Sequence, residues 1–317
     1  MNQPTTQYKD TVLVYNPRAG KFGRKGASLV KQAVDILSSC GHHVTVAPTT
    51  GPQAAGALAR EHIERGADLI VAAGGDGTIN EVAEGMVHSK VPLAILPAGT
   101  ANVLAMELKL GDDLERVASN IDQFEPRRIS VGHLTCDGGR TSRHFLLMAG
   151  IGLDARIVYN LSAPLKNVLG KGAYWVASWS LLGRSLDEFE VKIEGEVRRC
   201  SFALVSKVRN YGGDLEIARD TSLLDDRFEV VLFEGRSSLR YVKYFAGVAF
   251  NRLNGMKGVT VLRARKVCLS PVADARVYMQ IDGEYAGRLP GSVEIVEDAL
   301  TVLIPPKYKE RVGKSVR

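Results

Sequence analysis

The sequence predicts two domains of different class: an α/β domain with a parallel sheet over residues 1–128 and a mainly β sandwich domain over residues 129–302. Three observations carry this. At 317 residues the chain is longer than one comfortable core. Its first part alternates short apolar runs with stretches of helical periodicity. Its second part strings β-branched and aromatic runs together with few helices between them. Residues 303–317 form a tail expected to pack back on the first domain.

In chain order, the runs at 11–15, 44–47, 69–73 and 93–96 read as strands. Between them, 28–39, 53–65 and 78–87 carry apolar residues at three- and four-residue intervals, as amphipathic helices do. Open sheets of this kind bind ligands beyond the carboxyl ends of their strands, so the loops after Tyr15, Ala73 and Leu96 are where a site belongs. From Ile129 onward the runs at 144–148, 199–206, 228–233, 259–269 and 277–281 follow one another with the spacing of a sandwich or barrel. Helices are expected near 173–182 and 238–250. No internal repeat or low-complexity segment interrupts the order.

With 45% apolar and 24% charged residues, the chain has the make-up of an ordinary globular protein. A net charge of +6 fits an anionic partner, a phosphorylated ligand or an acidic membrane surface. Nucleic acid is not among the expected partners, because no RNP motif, zinc finger or heptad-linked basic region is present. Cys40, Cys136, Cys200 and Cys268 are widely spaced, and residues 1–10 lack the apolar core of a secretory signal, so a reduced, cytoplasmic location is expected. No stretch reaches the roughly 18 uninterrupted apolar residues of a membrane-spanning helix. The best candidate, 172–183, is bounded by Lys171 and Arg184.

The sharpest local feature is Gly74-Gly75-Asp76-Gly77-Thr78, which follows the buried-type run 69–73 and opens the helix containing Glu81. Glycines bring bare N–H groups close to phosphate oxygens, and a helix N-terminus adds favourable partial charge, with Thr78 placed to cap it. Asp76 would repel a phosphate, so its presence points to a magnesium ion or an ordered water between the two. A glycine-rich connection with an ordinary helix cap would look similar. The loop 96–102 repeats the pattern, with Gly99, Thr100 and Asn102 suited to hold phosphate or ribose, or to start a helix. The first run ends in Asn16-Pro17-Arg18-Ala19-Gly20, where Asn16 is the strongest candidate; the cations Lys21, Arg24 and Lys25 either face polyphosphate or are solvated. The aromatic stretch around Tyr174, Trp175 and Trp179 fits an interfacial helix or, more commonly, a core-packed one. Walker A, H-E-x-x-H and nucleophile-elbow motifs are missing from the sequence.

Taken in order, N-P-x-A-G at 16–20, G-G-D-G-T-x-N-E at 74–81 and L-P-A-G-T-A-N at 96–102 resemble the diacylglycerol kinase catalytic family, in its bacterial lipid kinase branch and its sphingosine and ceramide kinase relatives. Similarity continues at 150–155, 169–174, 223–226 and 281–284, over nearly the whole chain. The resemblance implies an NAD kinase/diacylglycerol kinase-like α/β domain that binds ATP with Mg2+, followed by a lipid-binding β domain. It implies a nucleotide site lined by Asn16, Gly74, Gly75, Asp76, Gly77, Thr78, Glu81, Gly99, Thr100 and Asn102. It further implies metal ligands at Asp76, Asp225 and Asp226, a substrate contact from Lys171, and Asp282 as catalytic base with Glu284 assisting; Asp154 either touches the lipid head group or serves the structure of its own turn. A base suits the chemistry, since a lipid alcohol loses its proton as it attacks the γ-phosphate. An Asp-Gly strand turn at 282–283 would also serve the fold alone. Two positions depart from the family pattern: Val103 follows Asn102 where many members carry an acid, and Asp226-Arg227 stands where the family's structural metal loop has Asp-Gly.

The implied activity is ATP-dependent phosphorylation of a lipid alcohol such as diacylglycerol by a cytoplasmic enzyme in peripheral contact with an anionic membrane. Lys307, Lys309, Arg311, Lys314 and Arg317 either meet that surface or are solvated. A homodimer stays open. The rival readings are an NAD kinase-like small-molecule kinase, which shares the G-G-D-G-T loop, and a non-catalytic lipid-binding relative, for which Val103 and Arg227 are the hints.

Overall fold

The computed structural model describes residues 6–20, 22–153, 155, 185–211, 215–249 and 252–309. The chain divides into two compact units, residues 1–129 together with 298–317, and residues 130–297.

In the first unit, β1 (Asp10–Tyr15), β2 (His43–Pro48), β3 (Leu69–Gly74) and β4 (Leu93–Pro97) lie parallel in the order β2-β1-β3-β4. Helices α1 (Phe22–Ser39), α2 (Ala54–Glu64) and α3 (Asp76–Met86) connect them, and α4 (Val103–Glu107) and α5 (Leu114–Ala118) follow. Every residue of β3 and β4 is buried, as expected where helices cover both faces of a parallel sheet. The edge strand β2 is largely exposed. Core contacts from the helices keep the three-and-four spacing: Val30, Ala33 and Leu37 on α1, and Ile79, Val82, Ala83 and Met86 on α3. Helix α1 begins at Phe22 rather than at 28, because the glycines and cations at 23–26 carry no apolar repeat to read.

The chain returns to this unit at Asp298. There it runs parallel to β4, with Val302 opposite Leu93. Tyr308, fully buried, donates its hydroxyl hydrogen to Glu107 at 2.9 Å.

The second unit is an antiparallel sandwich. Its strands in chain order are β5 (Glu125–Cys136), which begins in the first unit, β6 (Thr141–Phe145), β7 (Met148–Gly152), β8 (Phe189–Ile193), β9 (Glu196–Cys200), β10 (Phe202–Ser206), β11 (Asn210–Tyr211), β12 (Leu215–Glu216), β13 (Phe228–Phe233), β14 (Val259–Ala264), β15 (Lys266–Pro271), β16 (Tyr278–Ile281), β17 (Glu284–Arg288) and β18 (Gly291–Ile304), which ends in the first unit. One layer has the order β14-β13-β10-β7-β16-β17. The other pairs β9, β8, β15 and the first half of β18. Alternate residues meet in one core, Ala149 and Ile151 of β7, Ala203 and Val205 of β10, and Val230 and Leu232 of β13 packing with Val191, Val267, Leu269 and Val293.

Two apolar runs that read as single strands, 199–206 and 259–269, each break in two. At Ser201 and at Arg265 the chain passes from one layer of the sandwich to the other, so β9 and β10 belong to different sheets, as do β14 and β15. Helix α6 (Ser238–Ala249) covers the outer face of β10 and β13: the Tyr241 ring lies 6.4 Å from Phe202 and the Tyr244 ring 5.4 Å from Phe233. The helix expected near 173–182 lies outside the described residues.

Candidate active site

Strand β1 stands between β2 and β3, so connections leave its neighbourhood in opposite directions and the sheet order reverses there. That reversal is where open α/β sheets keep their binding crevice. Three loops meet at this end of the first unit. Asn16, just past β1, donates its backbone N–H to Ala73 O at 3.3 Å and its side-chain amide to Thr78 Oγ1 at 3.4 Å. Its own Oδ1 accepts from Arg18 N at 2.9 Å, which shapes the 16–20 turn. Ala98 N donates to Gly74 O at 3.0 Å, tying the third loop to the second.

The tightest approach is between Gly75 and Gly99. A Cβ on Gly99 would stand 2.4 Å from the Gly75 Cα, so no other residue fits there without moving a backbone. A Cβ on Gly20 would lie 3.3 Å from Thr100 Oγ1, which brings the first loop against the third. Helix α3 starts at Asp76 with Gly75 in the cap position and no side chain capping it. Thr78 is therefore inside the first turn, partnered by Asn16, and does not cap the helix.

Asp76 and Asn102 are occupied in holding these loops together. The Asp76 carboxylate accepts the N–H groups of Val103 at 3.0 Å and Leu104 at 3.1 Å, closing the N-terminus of α4. Burial pushes its carboxyl above the usual range, while the amides of Val103, Leu104, Asp76 itself and Asn102 pull the other way. Two of the carboxylate's acceptor positions are thereby committed to α4. Asn102, at a positive φ of 49°, closes on Gly99, accepting its N–H at 2.8 Å and donating to its carbonyl at 3.0 Å. Glu81 is placed differently from the rest, its carboxylate taking the N–H groups of Gln53 (2.9 Å) and Ala55 (3.2 Å) at the start of α2. That is a helix-capping use, which α2 requires because Gln53 makes no side-chain cap of its own.

In the second unit Asp282 and Gly283, with φ of 49° and 82°, form the two-residue turn between β16 and β17. Both positive values mark the hairpin geometry that Asp-Gly favours. The Asp282 carboxylate accepts three backbone N–H groups, Leu146 at 3.0 Å on Oδ2, and Leu147 at 3.0 Å and Met148 at 2.9 Å on Oδ1. Its own N–H donates to Met148 O at 2.9 Å, and Gly283 N donates to the buried Gln280 Oε1 at 2.7 Å. The hairpin tip is thus bolted to the segment entering β7. Glu284 faces a different partner, its carboxylate 3.3 Å from the Arg143 guanidinium.

The metal site expected at Asp225 and Asp226 does not fit a divalent ion. Asp226 pairs with Arg265, and the Asp225 carboxylate accepts Ser222 N at 3.1 Å with the Arg263 guanidinium 3.9 Å away. The Asp225 carbonyl accepts from the Lys207 ammonium. Among the described residues no group of three or more His, Cys, Asp or Glu side chains is placed to hold a metal. Asp154 and Lys171 lie outside the described residues. Lys207 itself was not singled out by sequence, where a single lysine after an apolar run is its only signal.

The geometry defines a class: an α/β unit with three loops gathered at its topological switch point, joined in the chain to an antiparallel β sandwich. Residues 10–134 match the family model for the diacylglycerol kinase catalytic domain, and residues 148–304 match that for the YegS C-terminal NAD kinase beta sandwich-like domain. The first unit thus carries the diacylglycerol kinase catalytic domain of that family model, and the sandwich carries its YegS-type companion. A diacylglycerol kinase of Bacillus subtilis (strain 168) is 28% identical over 314 residues, spanning 95% of this chain and 98% of the relative. One of Staphylococcus saprophyticus is 25% identical over 308 residues, spanning 94% and 96%. The crystal structure of a diacylglycerol kinase from Bacillus anthracis str. Sterne matches with a TM-score of 0.77 at 21% identity, over 96% of this chain and 99% of that one, a likeness of fold. The family supports a lipid kinase.

Proposed function

We propose that the protein is an ATP-dependent kinase that transfers the γ-phosphate of Mg-ATP to the hydroxyl of a lipid alcohol, diacylglycerol being the substrate in its relatives' names. The observation that carries this reading is the meeting of the three loops at the sheet's switch point, with Gly75 and Gly99 in backbone contact. Helix α3 also begins there with no side chain capping its N-terminus, and the N–H groups of such a terminus are what closely packed phosphate oxygens need. Asn16, Gly74, Gly75, Gly77, Thr78, Gly99 and Thr100 line the site, while Asp76 and Asn102 hold its shape. A magnesium ion brought in with the nucleotide would supply charge neutralisation at the phosphates.

In the step proposed, the lipid hydroxyl oxygen attacks the γ-phosphorus and the bond to the β–γ bridging oxygen breaks. ADP leaves with that oxygen, and the hydroxyl proton passes to the Asp282 carboxylate. The N–H groups of Leu146, Leu147 and Met148 fix the orientation of that carboxylate beforehand. Glu284 acts through its ion pair with Arg143, and Asp154 and Lys171 belong to the head-group side by resemblance. No described helix is long and apolar enough to cross a bilayer. In this reading the lipid is met by an enzyme in peripheral contact with the membrane, in the cytoplasm.

The test is transfer from labelled ATP to a panel of lipid alcohols in mixed vesicles, with NAD in parallel and the product identified by mass. Phosphatidic acid from diacylglycerol is the expected product. Label appearing on NAD and on no lipid would replace this reading with the small-molecule one.

A further inference from the structure

Lys207, the residue after β10, is fully buried. An ammonium withdrawn from water is costly unless its charge and donors are matched. Burial holds the amine down to about 8, and the Asp225 and Asp226 carboxylates pull it back up. Its Nζ donates to the carbonyl of Asp225.

The rest of the 220–226 loop is met in the same way. Arg209 Nε donates to Thr221 O at 3.1 Å, and Arg263 donates to Asp220 O. Arg265 pairs with Asp226, and the Arg263 guanidinium stands 3.9 Å from the Asp225 carboxylate. Three carbonyl oxygens and two carboxylates in one short loop are the donors a hard divalent cation would take. Here each faces a cation of the chain itself.

At its backbone, Lys207 meets the segment that grips Asp282. Its N–H donates to Leu147 O at 2.8 Å, and the N–H of Leu147 donates to Asp282 Oδ1 at 3.0 Å. We propose that Lys207 is a built-in cation that takes the place of a divalent metal in the 220–226 loop and, through Leu147, positions the Asp282 carboxylate. The second half rests on Asp282 being the base; the first half does not.

The test uses the full chain without nucleotide. Wild-type melting curves in Mg2+, in Ca2+ and in EDTA are expected to coincide, and a lower melting temperature on chelation overturns the built-in cation. Lys207→Met keeps the apolar stem and removes the charge, so its melting temperature is expected to fall by on the order of 10 °C. Part of that fall is expected to return with Mg2+ or Ca2+, because the loop oxygens then face a gap that a divalent ion fits. A curve that overlays the wild type, or a fall that neither ion reverses, overturns the substitution for a metal. Should Lys207→Met fail to fold, Arg263→Met, at the exposed margin of the same loop, carries the same expectation.

For the link to Asp282, lipid phosphorylation by Lys207→Met well below its melting temperature is expected to lose on the order of tenfold to a hundredfold in kcat with the KM for ATP unchanged. An unchanged kcat overturns the link. If wild-type protein phosphorylates no lipid, the proposed function fails while the melting comparison still decides the cation.

Discussion

Asp76 and Asp282, one in each unit, both gather backbone N–H groups from a segment far away in the sequence, which a linear reading could not supply. The motif picks out Asp76, but its partners at Val103 and Leu104 follow only from the fold. Asparagine at either position offers one acceptor and turns an NH2 donor toward N–H groups. Asp282→Asn is therefore expected to cost about 1–3 kcal/mol in urea unfolding, and to lower lipid phosphorylation by roughly 10²–10⁴-fold if the carboxylate is the base. Asp76→Asn should show a dependence on pH. Burial raises the folded-state pKa of Asp76 above its ordinary value of 3.8. Its contribution is then fully present below that value and is lost as pH rises through the folded pKa. The stability gap between wild type and Asp76→Asn is expected to narrow as unfolding is measured at successive pH values upward from 3.8.

At the scale of elements, β3 and β4 were legible because a strand covered on both faces has no polar alternation to obscure it. The corners at Ser201 and Arg265 were not, since an apolar run carries no mark of where it changes sheets. Helix α3 begins earlier than its periodicity because a glycine, rather than Thr78, takes the cap position. The loop pair it opens is set by Gly75 and Gly99. Gly99→Ala is expected to force those backbones apart, at a cost of about 1–3 kcal/mol. If these loops hold ATP as proposed, its KM is expected to rise by on the order of tenfold or more, because small displacements of groups that position a substrate are costly. Gly51→Ala, where an added Cβ meets nothing within 4 Å, is the control and should leave both quantities near wild type.

At the scale of the whole molecule, the change from alternating α/β to consecutive strands near Ile129 is written in composition, whereas the return at Asp298 falls inside a single strand, β18, and leaves no boundary signal. The returning residues have a structural task in the first unit. Leu300, Val302, Leu303, Ile304 and Tyr308 are all buried there. At roughly 1.5–3 kcal/mol for each such side chain, their loss removes on the order of 10 kcal/mol, as much as a typical domain's entire stability. Residues 1–129 expressed alone should consequently fail to fold, with the β4 edge bare and Glu107 deprived of Tyr308. Joining 1–129 to 298–317 through a short Gly/Ser linker should restore a cooperative melt by circular dichroism. The linker can be short because Arg128 Nε and Asp298 Oδ1 already stand 3.1 Å apart. A cooperative melt from 1–129 alone would mean that the parallel sheet and its helices suffice, and that the return at Asp298 only decorates a unit already stable without it.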